Sequence, residues 1–220
     1  MKNDLKEKFA FTLAEVLITL GIIGIVSAMT IPTLINNYQK KVTVTRLQKA
    51  FSTLSQAVKL SEIDNGPVST WNFDFDEDKY IAGKRIAETY FLPYLRVAKT
   101  YEVGKPVEIV RLNGDSEDYL STDSFAFTLN NGIMFYINPQ GTWLPIIVDL
   151  NADEKPNIFS KDVFVFYLFK SGLTLAGVKN WNREQLLANC SPEASDREGN
   201  YYCGMLIKND GWQIKDDYPW

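Results

Sequence analysis

A single carboxylate, Glu15, stands inside residues 11–35, a stretch with no other charged side chain. An acid near the centre of a bilayer costs roughly 2.5–3.5 kcal/mol on insertion scales, so it marks a functional candidate that needs a partner to offset its charge. A second candidate lies at Asp149-Leu150-Asn151-Ala152-Asp153, where oxygen-bearing side chains alternate, with Asp162 further on. Hard cations such as calcium take six to eight oxygen ligands from loops of this kind. The stretch is not an EF-hand: counting from Asp149, Glu154 occupies the position that needs glycine and Ser160 the position that needs a bidentate Glu. A solvated turn rich in Asp and Asn is the other reading of the same residues.

Composition narrows the chemistry. The chain has no histidine, which removes the usual general base near neutral pH and the commonest zinc ligand. Serine and threonine therefore have no histidine partner, and neither a glycine-rich phosphate loop nor a Cys-x-x-Cys pair occurs. The acidic run Asp74, Asp76, Glu77 and Asp78 reads as exposed loop charge. No enzymatic activity is expected. Residues 1–10 hold Lys2, Lys6 and Lys8 against Asp4 and Glu7, a net of +1, and the remainder holds 20 basic and 25 acidic residues, a net of −5. That balance offers no dense basic groove for nucleic acid.

These residues must be carried by particular elements. The 25 residues from 11 to 35 exceed the roughly 20 that a helix needs to cross the hydrocarbon layer, and the preceding lysines hold the leader in the cytoplasm. The body is then extracytoplasmic, where a disulfide between Cys190 and Cys203 is chemically permitted. Closing a loop of about 15 residues contributes roughly 3 kcal/mol by the chain-entropy estimate. An ordinary secretory signal cut after Val26-Ser27-Ala28 is the rival reading, and it leaves Glu15 unexplained.

Past the apolar run, Val44, Leu47, Phe51, Leu54 and Val58 recur at spacings of three and four, an amphipathic helix over about residues 36–62 that Asp64-Asn65-Gly66-Pro67 stops. A shorter helical pattern covers residues 79–98 and another covers 182–189. Strand-like runs fall at 106–112, 124–130, 133–137, 144–150 and 163–169, with Asn131-Gly132 as a hairpin turn. The fold class expected is α+β: a long N-terminal helix whose second half covers one apolar face of an antiparallel meander. The aromatic C-terminus, with Trp212 and Trp220, reads as a tail docked on the domain.

The segment Lys8-Phe9-Ala10-Phe11-Thr12-Leu13-Ala14-Glu15, with Gly24 and Pro32 at set distances beyond it, resembles the N-terminus of type IV pilins and type II secretion pseudopilins. The resemblance covers about residues 8–38. It implies removal of residues 1–10 by a prepilin peptidase between Ala10 and Phe11, although these families usually carry Gly where this chain has Ala10. It further implies methylation of the new N-terminus, residues 11–35 as a membrane-spanning and filament-core segment, and residues 36–220 as a pilin-like domain. Glu15 would then pair with the free amine of a neighbouring subunit, with Gly24 and Pro32 as assembly positions.

The function so implied is a structural subunit of a type IV pilus-like filament or a type II secretion pseudopilus. Its partners would be like or unlike pilin subunits, the prepilin peptidase and methyltransferase, an inner-membrane assembly platform and membrane lipid. Its location would be the inner membrane, single-pass with the C-terminal domain outside the cytoplasm, and then a periplasmic pseudopilus or cell-surface pilus. The resemblance also lends support to calcium at Asp149, Asn151, Asp153 and Asp162, since some pseudopilins hold calcium in a sheet-edge loop, and to a C-terminal disulfide loop. A membrane-tethered binding module that never polymerises is the alternative.

Overall fold

Nothing between Leu13 and Asn65 forces the chain out of a helix except Pro32, and one 53-residue helix, α1 (Leu13–Asn65), runs through it. The computed structural model describes residues 12–75, 78–102, 108–117, 123–152, 154–178, 180–194 and 199–220. The chain divides into two units, Met1–Lys40 and Lys41–Trp220. Within the first, the described residues are helical from Leu13 onward and their large apolar side chains are exposed, Leu13 at 78% and Leu34 at 71%. A helix apolar on all sides belongs in a membrane or against other helices rather than in water.

Within the second unit, α1 is amphipathic as its spacing requires: Val44, Leu47, Ala50, Leu54, Ala57, Val58 and Ser61 are buried. The helix stops where Gly66 takes a left-handed conformation ahead of Pro67, and the Glu62 carboxylate reaches back to accept the Val68 amide at 3.0 Å. Among the described residues, three shorter α-helices follow: α2 (Lys79–Tyr90), α3 (Arg183–Asn189) and α4 (Cys203–Asn209). Asp78 caps α2 by accepting the Tyr80 amide at 2.8 Å, and Asn182 caps α3 in a reciprocal capping box with Gln185.

Among the described residues, eight strands complete the unit: β1 (Val97–Tyr101), β2 (Ile109–Val110), β3 (Ser116–Glu117), β4 (Phe125–Leu129), β5 (Met134–Ile137), β6 (Leu144–Asp149), β7 (Val163–Phe169) and β8 (Gly172–Leu175). Six form one antiparallel sheet in the order β1-β4-β5-β6-β7-β8, while β2 and β3 pair by themselves. Register places Phe127 opposite Phe135, Phe135 opposite Val148, and Val148 opposite Phe164, so these side chains share a face. On that face Phe51 of α1 meets Phe166 edge-on at 5.6 Å between ring centroids. On the same face α2 comes close enough that a Cβ on Gly83 would lie 2.8 Å from the Ile137 carbonyl oxygen, a contact only glycine permits.

The chain is thus an α+β protein whose long helix packs on a six-stranded antiparallel sheet, as the periodicity implies. The details differ in four places. The helical pattern at 79–98 ends at Tyr90, and its last residues enter edge strand β1, whose polar sequence VAKTY hides it from a search for apolar runs. The strand expected at 106–112 shrinks to Ile109–Val110, with residues 103–107 outside the described set. Strand β8 and helix α4 are not among the elements expected from the sequence. Finally, the sheet does not present one apolar face alone: every residue of β6 and all but the last of β7 are buried. The uninterrupted apolar run VFVFYLF is the pattern of a strand covered on both sides.

The Asn131-Gly132 turn joins β4 to β5. Gly132 alone is left-handed, at φ +80°, and its amide donates to the Leu129 carbonyl while the Leu129 amide donates to that of Ile133. That is a three-residue loop ending in a left-handed glycine rather than a two-residue turn, which needs positive φ at both central positions.

Because Phe166 is fully buried between α1 and its own strand, Phe166→Ala should cost about 3–5 kcal/mol. Denaturant unfolding followed by Trp fluorescence measures it.

Candidate functional site

The N-terminal candidate centres on Thr12 and Glu15. Glu15 Oε2 accepts the Thr12 amide at 2.8 Å and the Thr12 hydroxyl at 2.8 Å, while the Glu15 amide donates to Thr12 Oγ1 at 3.2 Å. This is a capping box, in which the first orphan donors of a helix are satisfied reciprocally. Sequence reading singled out Glu15 but missed Thr12, although Thr12-Leu13-Ala14-Glu15 matches the T-x-x-E signal. Glu15 therefore has polar partners within its own chain. Ala10 and Phe11, the expected processing site, lie outside the described residues. Gly24 has nothing within 4 Å of where a Cβ would stand, and Pro32 sits inside the helix. At about 1.5 Å per residue, Glu15, Gly24 and Pro32 are spaced more than 10 Å apart along the axis, so the fold does not assemble them into one site.

The oxygen-rich candidate lies between β6 and β7. The fold brings Asp149, Asn151 and Asp162 together there, while Asp153 lies outside the described residues. Asp149 Oδ1 accepts the Asn151 amide at 3.0 Å. Asp162 accepts the Asn157 amide on one carboxylate oxygen at 3.0 Å and the Ile158 amide on the other at 2.6 Å. Burial pushes the Asp162 carboxyl above the usual range, opposed by the hydrogen bonds it accepts. Asn157 joins the group without having been read from the sequence, and the amide oxygens of Asn151 and Asn157 are buried and accept no hydrogen bond.

Such oxygens suit a hard cation in kind. Among the described residues, however, no three His, Cys, Asp or Glu side chains gather as a metal cluster. The observed work of Asp162 is to close the loop on itself. If calcium binds, Asp149, Asn151 and Asn157 would supply side-chain oxygens, and the cation would supply charge neutralisation for buried Asp149.

The C-terminal candidate is a disulfide: Cys190 and Cys203 are bonded, with Cα atoms 4.9 Å apart. It ties the end of α3 to the start of α4. From there the tail is held by charge and by aromatics. Arg183 donates to both oxygens of Asp210 at 2.7 and 3.0 Å and to both of Asp217 at 2.8 and 2.7 Å, and Lys215 adds 2.8 Å to Asp210. Burial works to raise the Asp210 carboxyl, but its bonds from Arg183 and Lys215 outweigh that and hold it below the usual range. Asp217 is lowered by its bond from Arg183. Trp212 packs against Phe51, and the buried Tyr218 hydroxyl donates to the Ser160 carbonyl at 2.6 Å. The docked aromatic tail read from the sequence is present.

Fold and site define an α+β protein with one long apolar N-terminal helix, compatible with a single-pass membrane protein, and a disulfide-stapled C-terminal domain. Residues 33–220 match a family of unknown function, DUF6613, and the chain belongs to that family. The match begins one residue after Pro32, so the capping box and all but the last three residues of the apolar segment precede it. No curated protein and no solved structure matches the chain.

Asp210 and Asp217 have lowered folded-state pKa values, so the stability they contribute is present above the unfolded aspartate value of about 3.9 and is lost as pH falls through their lowered values. Melting temperature should therefore fall as pH drops below about 4, with a shallower slope in Arg183→Gln. Thermal melts of both proteins between pH 7 and pH 3 check this.

Asp162→Ala leaves the Asn157 and Ile158 amides without their acceptor and should cost about 1–3 kcal/mol by chemical denaturation, with or without calcium. A rise in wild-type melting temperature with millimolar calcium, lost in Asp149→Asn, would instead establish the loop as a cation site.

Proposed function

We propose that the protein is a non-enzymatic filament subunit, inserted as a precursor, trimmed between Ala10 and Phe11, and assembled through its apolar helix into a type IV pilus-like filament or secretion pseudopilus. The observation that carries this reading is an acid at the fifth position from the expected cut, at the head of a helix segment that is apolar all round. The exposed side chains of residues 13–35 need either lipid or neighbouring helices to cover them, and a filament precursor uses each in turn. The partners in this reading are other pilin-like subunits, the processing peptidase and methyltransferase, and an inner-membrane assembly platform. The domain faces away from the cytoplasm.

The capping box favours a second reading. If Thr12 is the whole reason for Glu15, the helix can serve as a plain tether for an extracytoplasmic binding module, with no neighbouring amine required.

Glu15→Gln separates the two, because Gln preserves a capping box but removes the charge. On the filament reading the mature protein begins at Phe11, and Glu15→Gln is processed yet absent from sheared filaments. N-terminal sequencing of the mature chain and immunoblotting of the filament fraction report both. A start at Met29, or normal assembly by the Gln variant, would overturn the filament reading.

A further inference from the structure

The charge of this chain is divided by element. Between Glu15 and Glu62 the sequence contains five basic residues and no acidic one, whereas residues 62–220 hold 15 basic and 24 acidic residues, a net of −9. In the second unit the basic residues of α1 lie on its exposed side. At about 100° per residue, Lys41 and Lys59 point the same way and Lys49 stands about 80° from them, opposite the buried Leu47, Leu54 and Ser61. Arg46 flanks the row, with its guanidinium on the Leu150 carbonyl at 3.3 Å.

One further cation borders this face, the Lys208 ammonium, 4.8 Å from the ring centre of Phe51. A solvated helix face ordinarily mixes signs at three- and four-residue spacing, which stabilises it locally. Here Lys41 and Lys49 have no acid at either spacing, and Glu62, three residues from Lys59, is committed to the Val68 amide. Among the described residues no salt bridge involves α1.

We infer that the exposed Lys41–Lys49–Lys59 face of α1 is a docking surface for the acidic surface of a second copy of this chain. Charge complementarity identifies the occupant, because the surplus acid lies on the same molecule's remaining elements, including exposed Asp74, Glu154, Glu184 and Asp216. A patch that binds a different patch on an identical chain makes a heterologous contact, and such contacts propagate as open helical arrays unless the rotation closes. The inference deepens the filament reading, on which its biological setting rests, by naming a contact between domains that uses neither Glu15 nor the processing site.

The experiment uses the full-length chain in non-ionic detergent micelles, as an equal mixture of normal and heavy-isotope protein, with a carbodiimide that joins lysines to carboxylates in direct contact. At 0.1 M salt, mixed-isotope cross-links from Lys41, Lys49 or Lys59 to carboxylates of the other copy are expected. Their yield should fall several-fold at 1 M salt, as the screening length shrinks from about 10 Å to about 3 Å, and the self-associated mass read by sedimentation in the same micelles should fall at 1 M salt and in K41E/K49E/K59E. All three positions are exposed, so the circular dichroism of the variant should match wild type, and K41Q/K49Q/K59Q should give an intermediate self-associated mass if it does not. Cross-links indifferent to salt, or a self-associated mass indifferent to both triple variants, would overturn the inference. So would their absence while the chain shows salt-sensitive binding to micelles doped with phosphatidylglycerol, which assigns the face to lipid. Failure to begin at Phe11 in cells would count against the filament reading without altering the cross-link result.

Discussion

The second unit depends on one packing arrangement, the seating of α1 between Val44 and Ser61 on the aromatic face of the sheet. That face is built from Phe127, Phe135, Phe164 and Phe166, all essentially inaccessible to water, and α1 meets it through Leu47, Leu54 and Phe51. Burying an aromatic side chain of this size contributes on the order of 2–3 kcal/mol, so several together outweigh any single polar contact in the domain. The apolar periodicity of the helix and the aromatic content of the strands are two halves of one interaction.

Around that core, the connection from β6 to β7 is the point where separate pieces of chain are joined. It reaches α1 through the Thr43 and Arg46 side chains, β2 through Val110, the disulfide segment through the Ser160 hydroxyl on the Asn200 carbonyl, and the tail through Tyr218. Left-handed conformations at Ala152, Asn157 and Ser160 allow so short a segment to face so many partners. Asp162 binds two backbone amides of this connection, which accounts for a buried carboxylate without invoking a ligand. The disulfide and the Arg183 network complete the same task farther along, tying α3, α4 and the last ten residues to one another.

Charge is handled differently in the two parts of the chain. Across residues 11–39 it is nearly eliminated, and Glu15, the only charged residue among them, is met by Thr12. In the second unit, α1 carries cations without acids from Lys41 to Ser61, while residues 62–220 carry both signs with acids in excess. An uneven surface of this kind steers like molecules into one orientation, because the opposite approach sets like charges together.

Several features were determined by the sequence alone. The apolar run with its lone acid, the stripe from Val44 to Val58, the strands over residues 124–130, 133–137, 144–150 and 163–169, the short helix near residues 182–189 and the Asn131-Gly132 turn all follow from local periodicity and turn chemistry, which act over a few neighbouring residues. Tertiary structure alone decided the rest. Edge strand β1 is polar and becomes a strand only because β4 offers it hydrogen bonds, and Asn157 meets Asp162 only because the loop folds back. The pairing of Arg183 with Asp210 and Asp217 spans 27 and 34 residues. Such contacts are set by the global path of the chain, which no short window of sequence contains.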